Sequence, residues 1–191
     1  MTGLSGRVGT RWALVALAAL SVACAEDPTA TGDAPSIFAS GADQVMLGIE
    51  HFMTVDGVRR GKLVADTAYT YEDASRVDLR ALRIQFFDDT GADRGLLTSR
   101  LGEYDLESGD MIVHENVVLD GSMGGGGPAR LETDSLAFEA ATNRLTTDAS
   151  WVLTHGDGTV ERGVGLVTDP GLENIETSDW SVSTPDVEVP R

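Results

Sequence analysis

Apolar and polar residues alternate with a period of two along most of the chain. In LTTDASWVLT, residues 145–154, Leu145, Thr147, Ala149, Trp151 and Leu153 share one face, and Thr146, Asp148, Ser150, Val152 and Thr154 share the other. Successive side chains of a strand point to opposite sides, so this run predicts a half-buried β-strand. The same alternation sets Met111, Val113, Val117 and Leu119 against His114 and Asn116, and Leu63, Ala65, Tyr69 and Tyr71 against Asp66 and Thr70. In VDLRALRIQFF the apolar phase moves from Val77, Leu79 and Ala81 to Leu82, Ile84 and Phe86. A bulge at Ala81–Leu82 keeps both halves facing inward.

Turn-forming segments separate these runs at short intervals: VDGV at 55–58, YEDAS at 71–75, DDTGAD at 88–93, ESGD at 107–110, GSMGGGGP at 121–128, ATNR at 141–144 and HGDG at 155–158. Short strands joined by Gly-, Asp- and Asn-rich turns, with no helical pattern between them, predict an all-β antiparallel meander of about nine strands and no substantial helix. The pattern also repeats. Leu63, Leu97 and Leu131 are 34 residues apart, as are Ala65, Ser99 and Thr133, the triplet Val77, Met111 and Leu145, and the pairs Tyr104 and Phe138, Val117 and Trp151, and Leu119 and Leu153. An even period preserves the face of every residue, so one period is a two-strand unit and successive units extend one apolar face. The helical tetratricopeptide repeat has the same length but a different periodicity, and is rejected on that ground.

The flanks differ in character. Arg7 and Arg11 precede an apolar stretch from Trp12 to Ala23, which is shorter than the roughly 20 residues a membrane-spanning helix needs. Residues 1–23 therefore read as a secretory signal peptide. Cys24 is the only cysteine and stands at its end. Two processing routes are open there. Cleavage before Cys24 at a lipobox-like Leu20-to-Cys24 segment makes the cysteine an acylated first residue, and reading Ala23-Cys24-Ala25 as an A-x-A site discards it. Neither route permits an intramolecular disulfide. Residues 24–42, rich in Ala, Thr, Pro, Gly and Asp, read as a flexible tether; residues 43–180 form the domain; residues 181–191 form a disordered tail with two prolines.

Charge narrows the function. The 191 residues carry 31 acidic and 14 basic side chains; removing residues 1–23 leaves 12 basic ones and a net charge of −19. That field excludes nucleic acid as a partner. Catalytic patterns are weak. His51, His114 and His155 have no zinc-ligand spacing, GSMGGGGP lacks the Gly-Lys-Ser/Thr of a phosphate loop, and Gly163 and Gly165 lack the third glycine of a dinucleotide site. No enzyme activity and no cofactor are expected.

The ordered series GKLVADTAYTY, GLLTSRLGEYD, ARLETDSLAFE, NRLTTDASWVL and RGVGLVTDPGLENIE resembles the LptC family of lipopolysaccharide-export proteins and, more loosely, LptA and OstA domains, over about residues 43–180. The resemblance implies an open, V-shaped antiparallel β-jellyroll whose interior binds acyl chains of lipopolysaccharide. It further implies lipid received from the permease subunits of an inner-membrane ABC transporter and passed to an LptA-like periplasmic protein joined edge to edge. The inward-phase residues Leu63, Tyr69, Ile84, Phe86, Leu97, Tyr104, Met111, Val113, Val117, Phe138, Leu145, Trp151 and Leu153 are the candidate groove; the bland alternative is that they pack against one another as a core. Val160, Gly163, Val164, Gly165 and Leu166 are the candidate partner edge, where glycines leave room for a neighbouring backbone. The family pattern anchors the protein by a transmembrane helix, whereas here a lipid at Cys24 would hold it, facing the periplasm, at the inner membrane or the outer one. A structural or adhesive β-repeat envelope lipoprotein, or an envelope hydrolase, are the competing readings.

If Cys24 is acylated, Cys24→Ser releases a soluble periplasmic form, and the mature wild-type protein partitions into detergent with the mass of its lipid. Recovery of an unmodified chain beginning at Glu26 would exclude acylation.

Overall fold

The computed structural model describes residues 41–55, 57–71, 75–123 and 127–184. The expected signal peptide, Cys24, the tether up to residue 40 and the last seven residues lie outside the described residues. Nine strands follow one another: β1 (Gln44–Val55), β2 (Val58–Tyr71), β3 (Arg76–Phe87), β4 (Asp93–Asp105), β5 (Met111–Met123), β6 (Gly127–Glu139), β7 (Arg144–His155), β8 (Val160–Thr168) and β9 (Glu176–Ser183). Each pairs antiparallel with its sequence neighbour in a single open sheet ordered β1 to β9. No helix occurs among the described residues, and so none is long and apolar enough to cross a membrane. The expected all-β meander is thus observed, and β9 carries the sheet three residues beyond position 180.

A twisted sheet has two faces, and a lone sheet leaves one of them without a partner layer. This chain solves the problem with a crease. Irregular backbone crosses the sheet through matched positions: Gly48, Asp66, Ala81, Arg100, Glu115–Asn116, Asp134, Asp148–Ala149 and Gly165. At this line the inward phase breaks, inverting where three residues separate the flanking inward positions and skipping one inward position where an inserted residue makes it four. Ala65 and Ala68, Leu79 and Leu82, Val113 and Val117, Thr133 and Leu136, and Thr147 and Trp151 are successive buried positions three or four residues apart, where a regular strand buries every second residue. Both halves of each strand therefore aim their apolar side chains into the angle of the fold, and two half-sheets face each other.

The inversion has a backbone cause. Gly48, Ala81, Glu115, Asn116 and Gly165 hold φ between 50° and 71°, in the left-handed region that L-residues other than glycine enter at a cost of about 1–2 kcal/mol. The sequence-predicted bulge at Ala81–Leu82 takes a different form. Pairing on both sides of Ala81 keeps one register, Ala65 with Leu82 and Thr67 with Arg80, so the strand turns over without an inserted residue. The inserted residues lie in β5 and β7, where the register shifts between His114 and Val117 and between Thr147 and Ser150. Ala81, Glu115 and Ala149 are 34 residues apart, so the sequence repeat carries the crease along with the apolar positions.

Backbone groups displaced at the crease are satisfied by inward hydroxyls beside it. Ser99 Oγ donates to the Leu101 carbonyl (2.8 Å), Thr133 Oγ1 to the Ser150 carbonyl (3.0 Å), and Thr177 Oγ1 to the Gly165 carbonyl (2.8 Å), while Thr147 Oγ1 accepts from the Ala149 amide (3.1 Å). Ser99, Thr133 and Thr147 are three of the four buried polar residues among those described, the fourth being Thr168 at the end of β8. An unpartnered buried polar group costs about 1–3 kcal/mol, which explains why these positions are not aliphatic. On the outer side, the register-matched Arg100 and Glu115 form an ion pair at 2.8 Å.

The crease makes opposite expectations for two small substitutions at exposed Ala81. Ala81→Gly relieves the left-handed strain and raises stability by up to about 1 kcal/mol, whereas Ala81→Val lowers it by about 1 kcal/mol or more. Urea unfolding with an unchanged m-value reads both. A glycine variant less stable than the valine variant would contradict this account of the crease.

Candidate functional site

The inner faces of the two half-sheets bring the candidate groove residues together. Leu63, Ile84, Phe86, Leu97, Met111, Val113, Val117, Phe138, Leu145, Trp151 and Leu153 are all buried in one continuous apolar cluster, and Tyr104 is half-buried against it. Tyr69, expected inward, is buried on the outer face instead, because the phase inverts after Ala65 and Tyr69 pairs with Asp78 beneath the Arg80 guanidinium. Residues distant in the sheet meet across the angle: the rings of Phe86 on β3 and Phe138 on β6 lie 5.2 Å apart, centroid to centroid. Asn116, Asp148 and Ser150 face outward and are exposed. Burying this face stabilises the chain at about 25 cal/mol per Å² of apolar surface. In the conformation observed, the candidate groove residues fill the space between the half-sheets with their own side chains.

Where the half-sheets part, a recess of about 520 Å³ opens between the end of β1 and the turns that follow β4 and β6. His51, Met53, Tyr104 and Phe138 line its apolar part, and Arg60, Asp89 and Thr142 its polar rim. His51 and Tyr104 come from strands three apart and meet with ring centroids 5.7 Å apart and 3.5 Å between Nε2 and the phenol oxygen. Burial, with a smaller push from Asp105, raises the Tyr104 phenol above its ordinary value, so it stays a neutral donor at the mouth of the interior.

Further along the mouth, the segment joining β8 to β9 leaves and re-enters the same half-sheet, where Val167 pairs with Glu176, and between those ends reaches across to the other. Pro170, Gly171 and Leu172 are buried, Leu172 completely. Gly95 on β4 and Gly121 on β5 are register partners, and together they form a saddle without side chains on which the segment lies. A Cβ at Gly95 would collide with the Pro170 carbonyl, and one at Gly121 would stand 2.9 Å from the Gly171 carbonyl oxygen. The Arg94 guanidinium grips the Glu173 carboxylate through both of its oxygens, one bond measuring 2.8 Å. That contact raises the Arg94 pKa further. Sequence reasoning assigned no role to Arg94, Gly95, Gly121, Leu172 or Glu173. The legible signal was a glycine within the strands at each of two inward positions, which marks close backbone approach.

The partner edge is corrected. Val160, Gly163, Val164, Gly165 and Leu166 lie on β8, which pairs with β7 on one side and with β9 on the other. Its backbone groups are therefore occupied, and among the described residues the sheet ends on β1 and β9. Gly163 does leave room for a neighbouring backbone, but it is the Asp179 carbonyl of β9 in the same chain, together with the Trp151 ring; Gly165 turns left-handed at the crease and its carbonyl accepts the Trp151 indole N–H at 3.2 Å. On β9, Trp180 pairs with Gly163 and so shares the inward face, yet it is 58% exposed, and Val182 two residues on is 47% exposed. The last strand continues the apolar face past the end of the core.

Among the described residues no group of His, Cys, Asp and Glu side chains is placed to hold a metal ion. The three histidines are apart: His51 at the mouth, His114 on β5, and His155 at the β7–β8 hairpin, 2.8 Å from Glu161.

Neither a protein-family model nor a curated protein matches the chain. Among solved structures it is similar to LptH of Pseudomonas aeruginosa, described as the LptA-homologous periplasmic component of the conserved lipopolysaccharide transport device. The likeness has a TM-score of 0.50 at 9% identity and covers 66% of this chain and 95% of that one. The chain has the fold of this periplasmic jellyroll, an open antiparallel β-sheet folded over its own apolar face.

Proposed function

We propose that this protein is a carrier in lipopolysaccharide transport, LptC-like in role, that shelters acyl chains between its two half-sheets and performs no chemistry of its own. One observation carries the reading: a continuous apolar inner face, made by every strand from β2 to β8, that reaches a partly polar recess at the mouth. Acyl chains entering there would leave water at a gain of about 0.8 kcal/mol per methylene, while the sugar headgroup stays at the solvated rim. The fold shared with LptH supports the same reading.

The carrier would take lipid from the permease subunits of an inner-membrane ABC transporter and pass it to an LptA-like protein. Cys24 would be its lipid anchor and residues 24–42 its tether at the periplasmic face of the membrane. The edge offered to the next jellyroll is β9, where Trp180 and Val182 extend the apolar face and no other strand among the described residues pairs on the outer side. A purely structural β-repeat protein is the second reading, favoured by the tight packing of the inner residues in the observed conformation.

Photo-crosslinkers at inward Met111, Val113 or Trp151 are expected to capture lipopolysaccharide, and the same groups at outward Asn116, Asp148 or Ser150 are not. Equal labelling of both sets, or none, would favour the structural reading. Separately, Val182→Pro removes an amide and bends the last strand, so it should abolish capture of an LptA-like partner while circular dichroism remains that of the folded sheet. Undiminished capture would move the contact away from β9.

A further inference from the structure

We infer that the β8–β9 segment, residues 169–175, is a releasable latch that joins the two half-sheets across the mouth and opens before anything enters the interior. Only the identity of what enters rests on the lipid-carrier reading.

The interior is occupied by its own side chains, with Ile84, Leu119 and Leu153 wholly shielded from solvent. A guest therefore needs the half-sheets to separate. Along the crease they cannot, because the strands run through it covalently. Across the mouth they are held by non-covalent contacts, and this segment makes a concentrated set of them. The Pro170 and Gly171 carbonyls rest on the Gly95–Gly121 saddle, Leu172 inserts into the core, and Arg94 clasps Glu173. The segment is also braced to move as a unit. The Asp169 carboxylate accepts from the amides of Gly171 (2.8 Å) and Asn174 (3.0 Å) and from the Asn174 side chain (2.7 Å), and the Leu172 amide reaches the Asp169 carbonyl at 3.0 Å.

Two features make the closed position conditional. Leu172 holds φ at +59°, a left-handed conformation that a leucine adopts only while its surroundings impose it. The clasp is a single charge-assisted pair in which both side chains keep partial contact with solvent, 34% for Arg94 and 26% for Glu173. Such a pair is strong enough to bias an opening equilibrium and weak enough to be exchanged for another partner. Arg94 is the residue through which the latch is set; it positions the segment and touches no guest.

The test uses the full chain carrying Cys24→Ser, so that an introduced thiol is the sole one. Modification of the thiol in Leu172→Cys by a maleimide reports latch opening. Adding Glu173→Gln should accelerate it by about tenfold, the loss expected for one charge-assisted contact. A thiol in Leu153→Cys, buried in the sheet itself, should keep its rate. Unchanged reactivity at position 172 overturns the latch, as does equal acceleration at both positions, which would mean general loosening. Hydrogen exchange of residues 169–175 in Glu173→Gln, without any introduced cysteine, reads the same opening where Leu172→Cys disturbs folding. If the latch opens as expected and no variant captures lipopolysaccharide at inward positions, the latch stands and the carrier reading fails.

Discussion

Everything in this fold depends on the inversion of strand phase at one transverse line. A one-residue change of phase sends every later side chain to the opposite face of a sheet. Without compensation, a chain whose strands bend sharply would bury one half and expose the other. Here the left-handed residues at Gly48, Ala81, Glu115, Asn116 and Gly165, with the inserted residues in β5 and β7, turn the strands over where the bend occurs. One sheet thereby supplies both layers of its own sandwich. The inward hydroxyls of Ser99, Thr133 and Thr147 follow from that arrangement, since the crease frees backbone groups that need partners in a place without water.

The same constraint shapes the rest of the molecule. A sandwich made by folding has one continuous side and one interrupted side, so along the length of its strands the interior opens at the mouth. Features that regular strands do not explain collect there: the His51–Tyr104 contact, the recess beside it, the paired glycines at 95 and 121, and the buried turn at Leu172. With a single cysteine in the chain, no intramolecular disulfide shares the task of holding the halves together. Packing and the mouth contacts do it, which leaves the mouth the part of the domain most open to control.

A folded sheet that does not close into a barrel also keeps two edges. Among the described residues β1 and β9 each have one unpaired side, and both carry exposed large apolar side chains, Leu47 and Phe52 at one end and Trp180 and Val182 at the other. Free edges of this kind invite pairing with another strand. Under the proposed carrier role, the inward-facing Trp180 and Val182 would let the apolar face continue into a neighbouring molecule.

Much of this was legible from residue order alone. Period-two alternation and turn composition determined the all-β meander, because a strand places its side chains by local geometry and needs no distant partner to do so. The 34-residue repeat determined most of the residues that face inward, and Leu63, Ile84, Met111 and Trp151 are found there, while Tyr69, beyond the phase change in β2, is not. The phase change in β3 was visible too, although its form was not: a bulge and an in-register left-handed residue produce the same string of apolar positions, and only the pairing of Ala65 with Leu82 and Thr67 with Arg80 separates them. Tertiary structure alone decided the edge and the latch. The segment from Val160 to Leu166 alternates like an outer strand, and nothing local says that β9 will cover it. Arg94 and Glu173 are 79 residues apart, and Gly95 and Gly121 become one saddle only through register. Contacts of that kind are set by how the sheet folds on itself, a global outcome that local alternation does not encode.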